Sequence, residues 1–146
     1  MGRKAKSPVA RAPKVFGDTS YFYALADPKD EHHVRALVLS REVAAAGASL
    51  FTTWDVVVEC VTMLRYRLGY AAAARFLWTL EIGLTVFHPS EDDRSRAIES
   101  FLSRSRVRAL SLCDAISYVV VSRHFDWAPC LAFDSDFAAL GLTVWR

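Results

Sequence analysis

No apolar run in the sequence approaches the roughly 18 to 20 residues needed to cross a bilayer. The basic start, MGRKAKSPVARAPK, also lacks the apolar stretch that follows the positive end of a secretory signal. These two absences predict a soluble, cytoplasmic protein without a membrane partner. Cysteine is scarce: Cys60, Cys113 and Cys130 are odd in number, lie among apolar neighbours and show no CxxC spacing. That excludes a disulfide framework and a zinc site, and reads as three reduced core residues. There is no internal repeat, low-complexity segment or linker. The first fourteen residues contain no acid but five basic side chains, Arg3, Lys4, Lys6, Arg11 and Lys14. Residues 15–146 therefore carry 13 basic against 16 acidic side chains, a net of −3 beneath a whole-chain charge of +2. The basic segment 1–14, with two prolines and no periodic apolar face, reads as a disordered, solvated tail. Non-specific attraction to nucleic acid is its lesser reading. What remains, 15–146, has apolar residues enough for one domain with its own core.

Along that domain, short apolar runs alternate with helical patterns. VFGD is a first buried strand, and TSYFYALAD a short helix stopped near Pro28. PKDEHHVRALVLSREVAAAG is a helix opened by acids and closed at Gly47. SLFTT is a second strand. WDVVVECVTMLRYRLG and YAAAARFLWTLEIG are helices closing on Gly69 and Gly83. LTVFH is a third strand. PSEDDRSRAIESFLSR starts with Ser90 as N-cap and Asp93 completing a capping box. Ser111 opens the apolar helix SLCDAISYVVVSRHF. CLAFD and LTVWR, separated by a helical turn, are two further strands. Strands joined by helical crossovers predict an α/β fold, a three-layer sandwich around a mostly parallel sheet of about five strands. Ligands of such sheets bind beyond the carboxyl ends of the strands.

Acids fall at that rim. Asp18 ends the first strand and Asp134 the fourth; Glu59 lies in the second turn of the helix after SLFTT, and Asp114 in the first turn of the helix begun at Ser111. DVVVECV and SLCDAISYVVV are apolar surroundings in which an ionised carboxylate is costly unless paired or bound to a cation. Each acid also has a plain structural reading. Asp18 can cap the helix starting at Thr19 or Ser20, and Asp114 stands at capping-box spacing from Ser111. Glu59 can face solvent, and Asp134 and Asp136 can be turn acids. Four acids around one rim favour the functional reading.

VFGDTSYFYAL, TTWDVVVEC, LSLCDAIS and LAFDSDFAALGLTVW, in this order, resemble the four signatures of the PIN domain, over residues 15–146. The branch they are most similar to is that of the VapC-like ribonucleases of toxin–antitoxin pairs. The resemblance implies that Asp18, Glu59, Asp114 and Asp134 are the catalytic acids that bind divalent metal, that Thr19 or Ser20 is the hydroxyl following the first Asp, and that Asp136 is an accessory polar residue. It also implies RNA as substrate, products with a 3′-hydroxyl and a 5′-phosphate, and a small antitoxin, commonly DNA-binding, as partner. Two positions depart from the family: Ala132 stands where Thr or Ser is frequent, and Gly17 where a larger aliphatic residue is usual.

Oxygen donors without histidine or cysteine suit a hard cation, Mg²⁺ or Mn²⁺. The expected activity is endoribonucleolytic hydrolysis with Asp18 and Asp114 as direct ligands, and Glu59 and Asp134 as water-mediated ligands or proton acceptors. Arg104, Arg106 and Arg108 alternate in SRSRVRAL; in an extended segment they would share one face and meet RNA phosphates. A solvated helix end is the equal alternative. His32 and His33, adjacent, cannot share a helical face, so at most one packs or lines the cleft. Tyr21, Tyr23, Trp54 and Trp127 are candidates for base stacking, with core packing the commoner role. VVVECVTMLRYRLG and YAAAARFLWTLEIG are apolar over more than one face, which predicts cover by a second copy of the chain, as a homodimer, or by the antitoxin. Alternatives are an RNA-processing PIN nuclease without a toxin role, a non-catalytic RNA- or protein-binding module, and a DNA nuclease of related fold. A phosphatase with a DxD nucleophile is disfavoured, because Ser20 stands where the second Asp would be.

Overall fold

The computed structural model describes residues 11–146; most of the basic segment lies outside the described residues. Lys14, its last member, opens the first strand, and the Pro13 carbonyl accepts a 2.8 Å hydrogen bond from Ser49 N. The chain forms β1 (Lys14–Gly17), α1 (Thr19–Ala26), α2 (His33–Ala45), β2 (Ser49–Thr53), α3 (Trp54–Arg67), α4 (Tyr70–Thr79), β3 (Thr85–Phe87), α5 (Glu91–Arg104), α6 (Leu112–His124), β4 (Cys130–Leu131), α7 (Ser135–Ala139) and β5 (Val144–Trp145). Among the described residues no helix is long and apolar enough to cross a membrane.

All strand pairs are parallel, in the order β3-β2-β1-β4-β5. Successive side chains of a strand face opposite sides, yet Val15 and Phe16 of the central β1 are both fully inaccessible. Helices must therefore cover both faces, the three-layer α/β arrangement that the alternating pattern predicts. Phe16 packs edge-on against Phe51 and stacks on Phe137, tying β1, β2 and α7 into the main core. A second apolar cluster, Ala97, Ala115, Ile116, Val119 and Val120, joins α5 to α6. Cys60 and Cys130 are buried and Cys113 half-buried, all three as free thiols.

The predicted helix from Pro28 starts only at His33. Asp27 accepts from Lys29 N at 3.0 Å and Asp30 from His32 N at 2.8 Å. These carboxylates close turns through N–H groups two residues ahead, and turn chemistry takes the acids that the sequence pattern gave to the first helical turn. Both predicted capping boxes form, Ser90 with Asp93 and Ser111 with Asp114.

With strands 2 and 3 on one side of β1 and strands 4 and 5 on the other, chain direction across the sheet reverses between β1 and β4. A crevice opens at such a switch point, beyond the carboxyl ends. Asp18 stands directly at it: Gly17 pairs with Leu131 of β4, and Asp18 N donates to the Leu131 carbonyl at 3.0 Å.

Candidate active site

Asp18 is buried at the end of β1. Its Oδ2 accepts from Ser20 N at 3.1 Å, which caps α1, and from the Ser20 hydroxyl at 2.6 Å. That hydroxyl in turn accepts from Phe133 N at 3.0 Å. Ser20 therefore fastens Asp18 to the segment leaving β4, and of the two candidate hydroxyls it is the one engaged; Thr19 Oγ1 is buried without a partner. From the other side Thr52 of β2 donates to the Gly17 carbonyl at 2.8 Å, a buried anchor that the sequence reading missed. Gly17 leaves room for Phe22: a Cβ there would lie 2.6 Å from Phe22 Cζ, a clash in a packed interior. This accounts for glycine where the family usually has a larger residue.

The same division of labour recurs at the other aspartates. Asp114 Oδ2 accepts from Ser111 N at 3.0 Å in the capping box of α6, and Asp134 Oδ1 accepts from Asp136 N at 3.0 Å to cap α7. Each hydrogen bond occupies one carboxylate oxygen. Capping and ligation are thus compatible in one side chain, and the two readings of Asp18, Asp114 and Asp134 are not exclusive.

The four acids lie near enough for their charges to act within one region. Burial, opposed by the Ser20 hydrogen bonds and reinforced by the charge of Asp114, pushes Asp18 up to about 7. Asp114 is raised by burial, against its Ser111 hydrogen bonds, with the charges of Asp134 and Glu59 adding to it. Glu59 lies beside the Cys113 thiol, which burial and the charges of Glu59, Asp18 and Asp114 drive upward. Cys60 is pushed up to about 12 by burial and by Asp18 and Glu59. Both thiols are neutral at neutral pH. Among the described residues no lysine, arginine or histidine forms an ion pair with Asp18, Glu59, Asp114 or Asp134. No three Cys, His, Asp or Glu side chains there converge closely enough to enclose an ion by themselves. The donor set is all oxygen and uncompensated. It fits a hard cation that takes one or two carboxylates directly and fills its remaining positions with water and substrate oxygens.

Of the two readings of the arginines, the solvated helix end is the one the structure matches and the extended face does not form. Helix α5 runs through Arg104, and the chain then winds into a turn in which the Arg104 carbonyl accepts from Val107 N and Arg108 N. Arg104, Arg106 and Arg108 therefore do not alternate along an extended strand. The Arg104 guanidinium covers the Tyr118 ring at 4.8 Å, and Arg108 pairs with Asp136 at 3.4 Å. All three are exposed. Asp136 is raised by burial and by Asp134, with Arg108 opposing. Both histidines, not at most one, are engaged: His33 Nδ1 bonds the Ala24 carbonyl at 2.7 Å, and His32 stacks on Phe133 at a ring separation of 4.4 Å. Tyr21 is core and Tyr23 half-buried, whereas Trp54 and Trp127 are exposed.

A parallel sheet of this order, with a buried aspartate, Asp18, at its switch point, is the architecture of a PIN domain. No family model and no curated protein sequence matches the chain. Among solved structures it is similar to the Mycobacterium tuberculosis toxin VapC20, which cleaves the sarcin–ricin loop. The two are 30% identical with a TM-score of 0.79, over 90% of this chain and 98% of that one. VapBC2 from Rickettsia felis, solved with a DNA fragment from their promoter, is alike in fold alone, with 10% identity and a TM-score of 0.60 over 90% of this chain and 97% of that one. The chain belongs to the VapC-like branch of the PIN-domain family.

Proposed function

We propose that the chain is an Mg²⁺- or Mn²⁺-dependent endoribonuclease, the toxin of a toxin–antitoxin pair, with Asp18, Glu59, Asp114 and Asp134 as its catalytic and metal-holding acids. What supports this reading is that a buried Asp18 at the switch point feels the charge of Asp114, which in turn feels Asp134 and Glu59, while among the described residues no cationic side chain pairs with any of the four. Asp18, buried, and Asp114, half-buried, are both raised, first by burial and then by neighbouring acids, and carboxylates perturbed in this way are candidates for a functional site. Its likeness to a sarcin–ricin-loop-cleaving toxin supports RNA as the substrate class.

Asp18 and Asp114 would hold the ion directly, and Glu59 and Asp134 would hold it through water or accept a proton. Such an ion supplies a water of lowered pKa and offsets the charge of the phosphodiester, which these acids would otherwise repel. Ser20 keeps the Asp18 carboxylate oriented, as residues behind a ligand do. Arg106, exposed and without an ion-pair partner among the described residues, is the arginine of the three best placed to meet a phosphate.

Partners follow from the same reading. Tyr66, Tyr70, Leu77, Trp78 and Ile82 are exposed on and just after α3 and α4. Beside them a cavity of about 600 Å³ is lined by Phe22, Leu25, Ala72, Phe76 and Leu84. An apolar patch of this kind marks an interaction surface. The antitoxin, a second copy of the chain, or both would cover it.

The test is cleavage of RNA with and without Mn²⁺, alongside calorimetric Mn²⁺ titration, for wild type and Asp18→Asn. Wild type should cut only with the ion, leaving 3′-hydroxyl and 5′-phosphate ends, and the variant should lose both ion binding and cutting. Growth arrest on expression should vanish with the same substitution. Cleavage that ignores Mn²⁺ and survives the substitution would overturn the assignment. RNA binding without cleavage would favour the non-catalytic module.

A further inference from the structure

On the carboxyl rim of the sheet, the acid centre is flanked by two stacked aromatic pairs. On one side Thr53 of β2 is in register with Phe87 of β3, so the next residues along both strands, Trp54 and His88, leave the sheet together. Their rings stack at 5.7 Å with planes 22° apart, and Trp54 remains 42% exposed. On the other side Phe133, immediately before Asp134 and tied by its N–H to the Ser20 hydroxyl that holds Asp18, carries the His32 ring on its face, with planes 7° apart. The His32 side chain is 43% exposed. In the strand order β3-β2-β1-β4, Asp18 at the end of β1 lies between the two pairs. With strands about 4.8 Å apart, β3 is roughly 10 Å from β1.

An indole left partly in water at a rim of charge is costly to expose unless something covers it. In the first pair both residues are exposed, and in the second the His32 ring lies open to solvent over the half-buried Phe133. Such a ring offers a flat surface whose orientation costs little further entropy on binding. Nucleobases stack on aromatic and imidazole rings of this kind, but only when they are splayed out of a helix, as in loops, bulges and single strands.

We propose that Trp54 with His88, and His32 with Phe133, are base-stacking platforms that seat one unpaired nucleobase on each side of the phosphodiester held at the acids, so that the substrate is RNA whose bases around the cut are unstacked. This rests on the ribonuclease reading above. The platforms bind and position; the chemistry stays with the carboxylates.

The experiment is cleavage of a randomised single-stranded RNA pool with Mn²⁺ by wild type, Trp54→Ala, Trp54→Phe and His32→Ala. Product ends are sequenced, and KM and kcat are measured on a preferred oligonucleotide and on the same oligonucleotide with one abasic nucleotide either side of the cut. Trp54→Ala should raise KM by about 5- to 150-fold, the range of one lost base stack, with kcat near wild type. It should also flatten the base preference on one side only. Trp54→Phe should restore most of both, and His32→Ala should flatten the other side. Wild type should bind the abasic substrate more weakly by a similar factor, and Trp54→Ala should no longer distinguish an abasic position on its side. If wild type cleaves but discriminates neither bases nor abasic positions, or if both alanine variants keep its KM and preferences, the platforms are refuted while the nuclease stands. If wild type with Mn²⁺ leaves every RNA intact, the ribonuclease reading fails first and the platforms fall with it.

Discussion

Two aspartates of this chain have the same local structure and opposite electrostatics. Asp93 and Asp114 each sit three residues after a serine N-cap, each completes a capping box, and each opens one helix of the α5–α6 pair. Asp93 is fully buried, yet Arg123 at 2.7 Å and His124 at 2.8 Å meet its Oδ1. Burial works to raise it, but the His124 and Ser90 hydrogen bonds prevail and hold it down at about 2. Asp114 has its own serine cap, Ser111, but burial raises it and Asp134 and Glu59, in place of cations, add to the rise. A capping box fixes where an acid stands. Whether that acid braces the fold or awaits a ligand depends on the charge that tertiary structure brings to its other oxygen.

Replacing each aspartate by asparagine, which keeps much of the cap, should separate the two roles. Asp114→Asn should reduce RNA cleavage by about 100-fold or more while leaving the urea midpoint at or above that of wild type. Asp93→Asn should remove the charge that Arg123 and His124 share, leaving Arg123 with Asp92 alone, and cost about 1–3 kcal/mol of stability, with the activity per folded molecule retained. Cleavage assays and urea unfolding on the same preparations decide it. If Asp114→Asn loses stability and keeps activity, the contrast has been assigned the wrong way round.

Acidity should sharpen the difference, because the two kinds of acid respond with opposite sign. The Asp93 carboxylate lies below its unfolded value near 3.9. Its contribution is present above about pH 4 and is lost as pH falls through about 2. Asp18 lies above its unfolded value, so the protonated form favours the fold. That contribution is complete below about pH 4 and is lost as pH rises through about 7. Without divalent ions, Asp18→Asn should therefore be more stable than wild type at pH 8, by on the order of 3 kcal/mol. The gap should close on acidification to pH 4. Thermal unfolding across that range measures it, and added Mn²⁺ should narrow the gap at pH 8 by stabilising wild type alone. A constant difference from pH 4 to 8 would mean that Asp18 does not carry the strain assigned to it.

Much of this contrast was legible in the residues. The Ser-x-x-Asp spacing gives both boxes, and the strand end at Asp18 follows from a short apolar run that stops on an acid, whereas β4 ends at Leu131, three residues short of Asp134, which caps α7 instead. Strand order was not legible, because a helical crossover in a parallel sheet allows the next strand to either side. Without that order Asp18 and Asp134 share a rim but not a switch point. The counter-ions of Asp93 lie thirty residues further on, on the last turn of α6, and no local pattern ties Arg123 to it. The spacing of Arg104, Arg106 and Arg108 misled for a plain reason: a period of two has meaning only in an extended chain, and here α5 carries helical geometry through the first of them. Base stacking at Trp54 was open in the sequence, but its partner His88 becomes its neighbour only through the β2–β3 register.

The smallest contrast lies between neighbours, Thr19 and Ser20, two hydroxyls that the sequence leaves equivalent. Ser20 donates to Asp18 and accepts from Phe133 N, joining residues 113 positions apart. Ser20→Ala strands that N–H and removes the shortest hydrogen bond to Asp18, so it should cost about 1–3 kcal/mol. Loosening the Asp18 carboxylate should lower cleavage as well, by about 10-fold or more. Thr19 is the more buried of the two, but its hydroxyl meets no partner among the described residues, and burying an unpaired hydroxyl is itself unfavourable. Thr19→Val, which keeps the shape and discards that oxygen, should lie within about 1 kcal/mol of wild type or above it. Its cleavage rate should be unchanged. Urea midpoints of the two variants, measured side by side, must fall on opposite sides of this margin. If Thr19→Val proves the more damaging, the hydroxyl that supports Asp18 is the other one, and the link from β4 to the acid centre through Ser20 has to be abandoned.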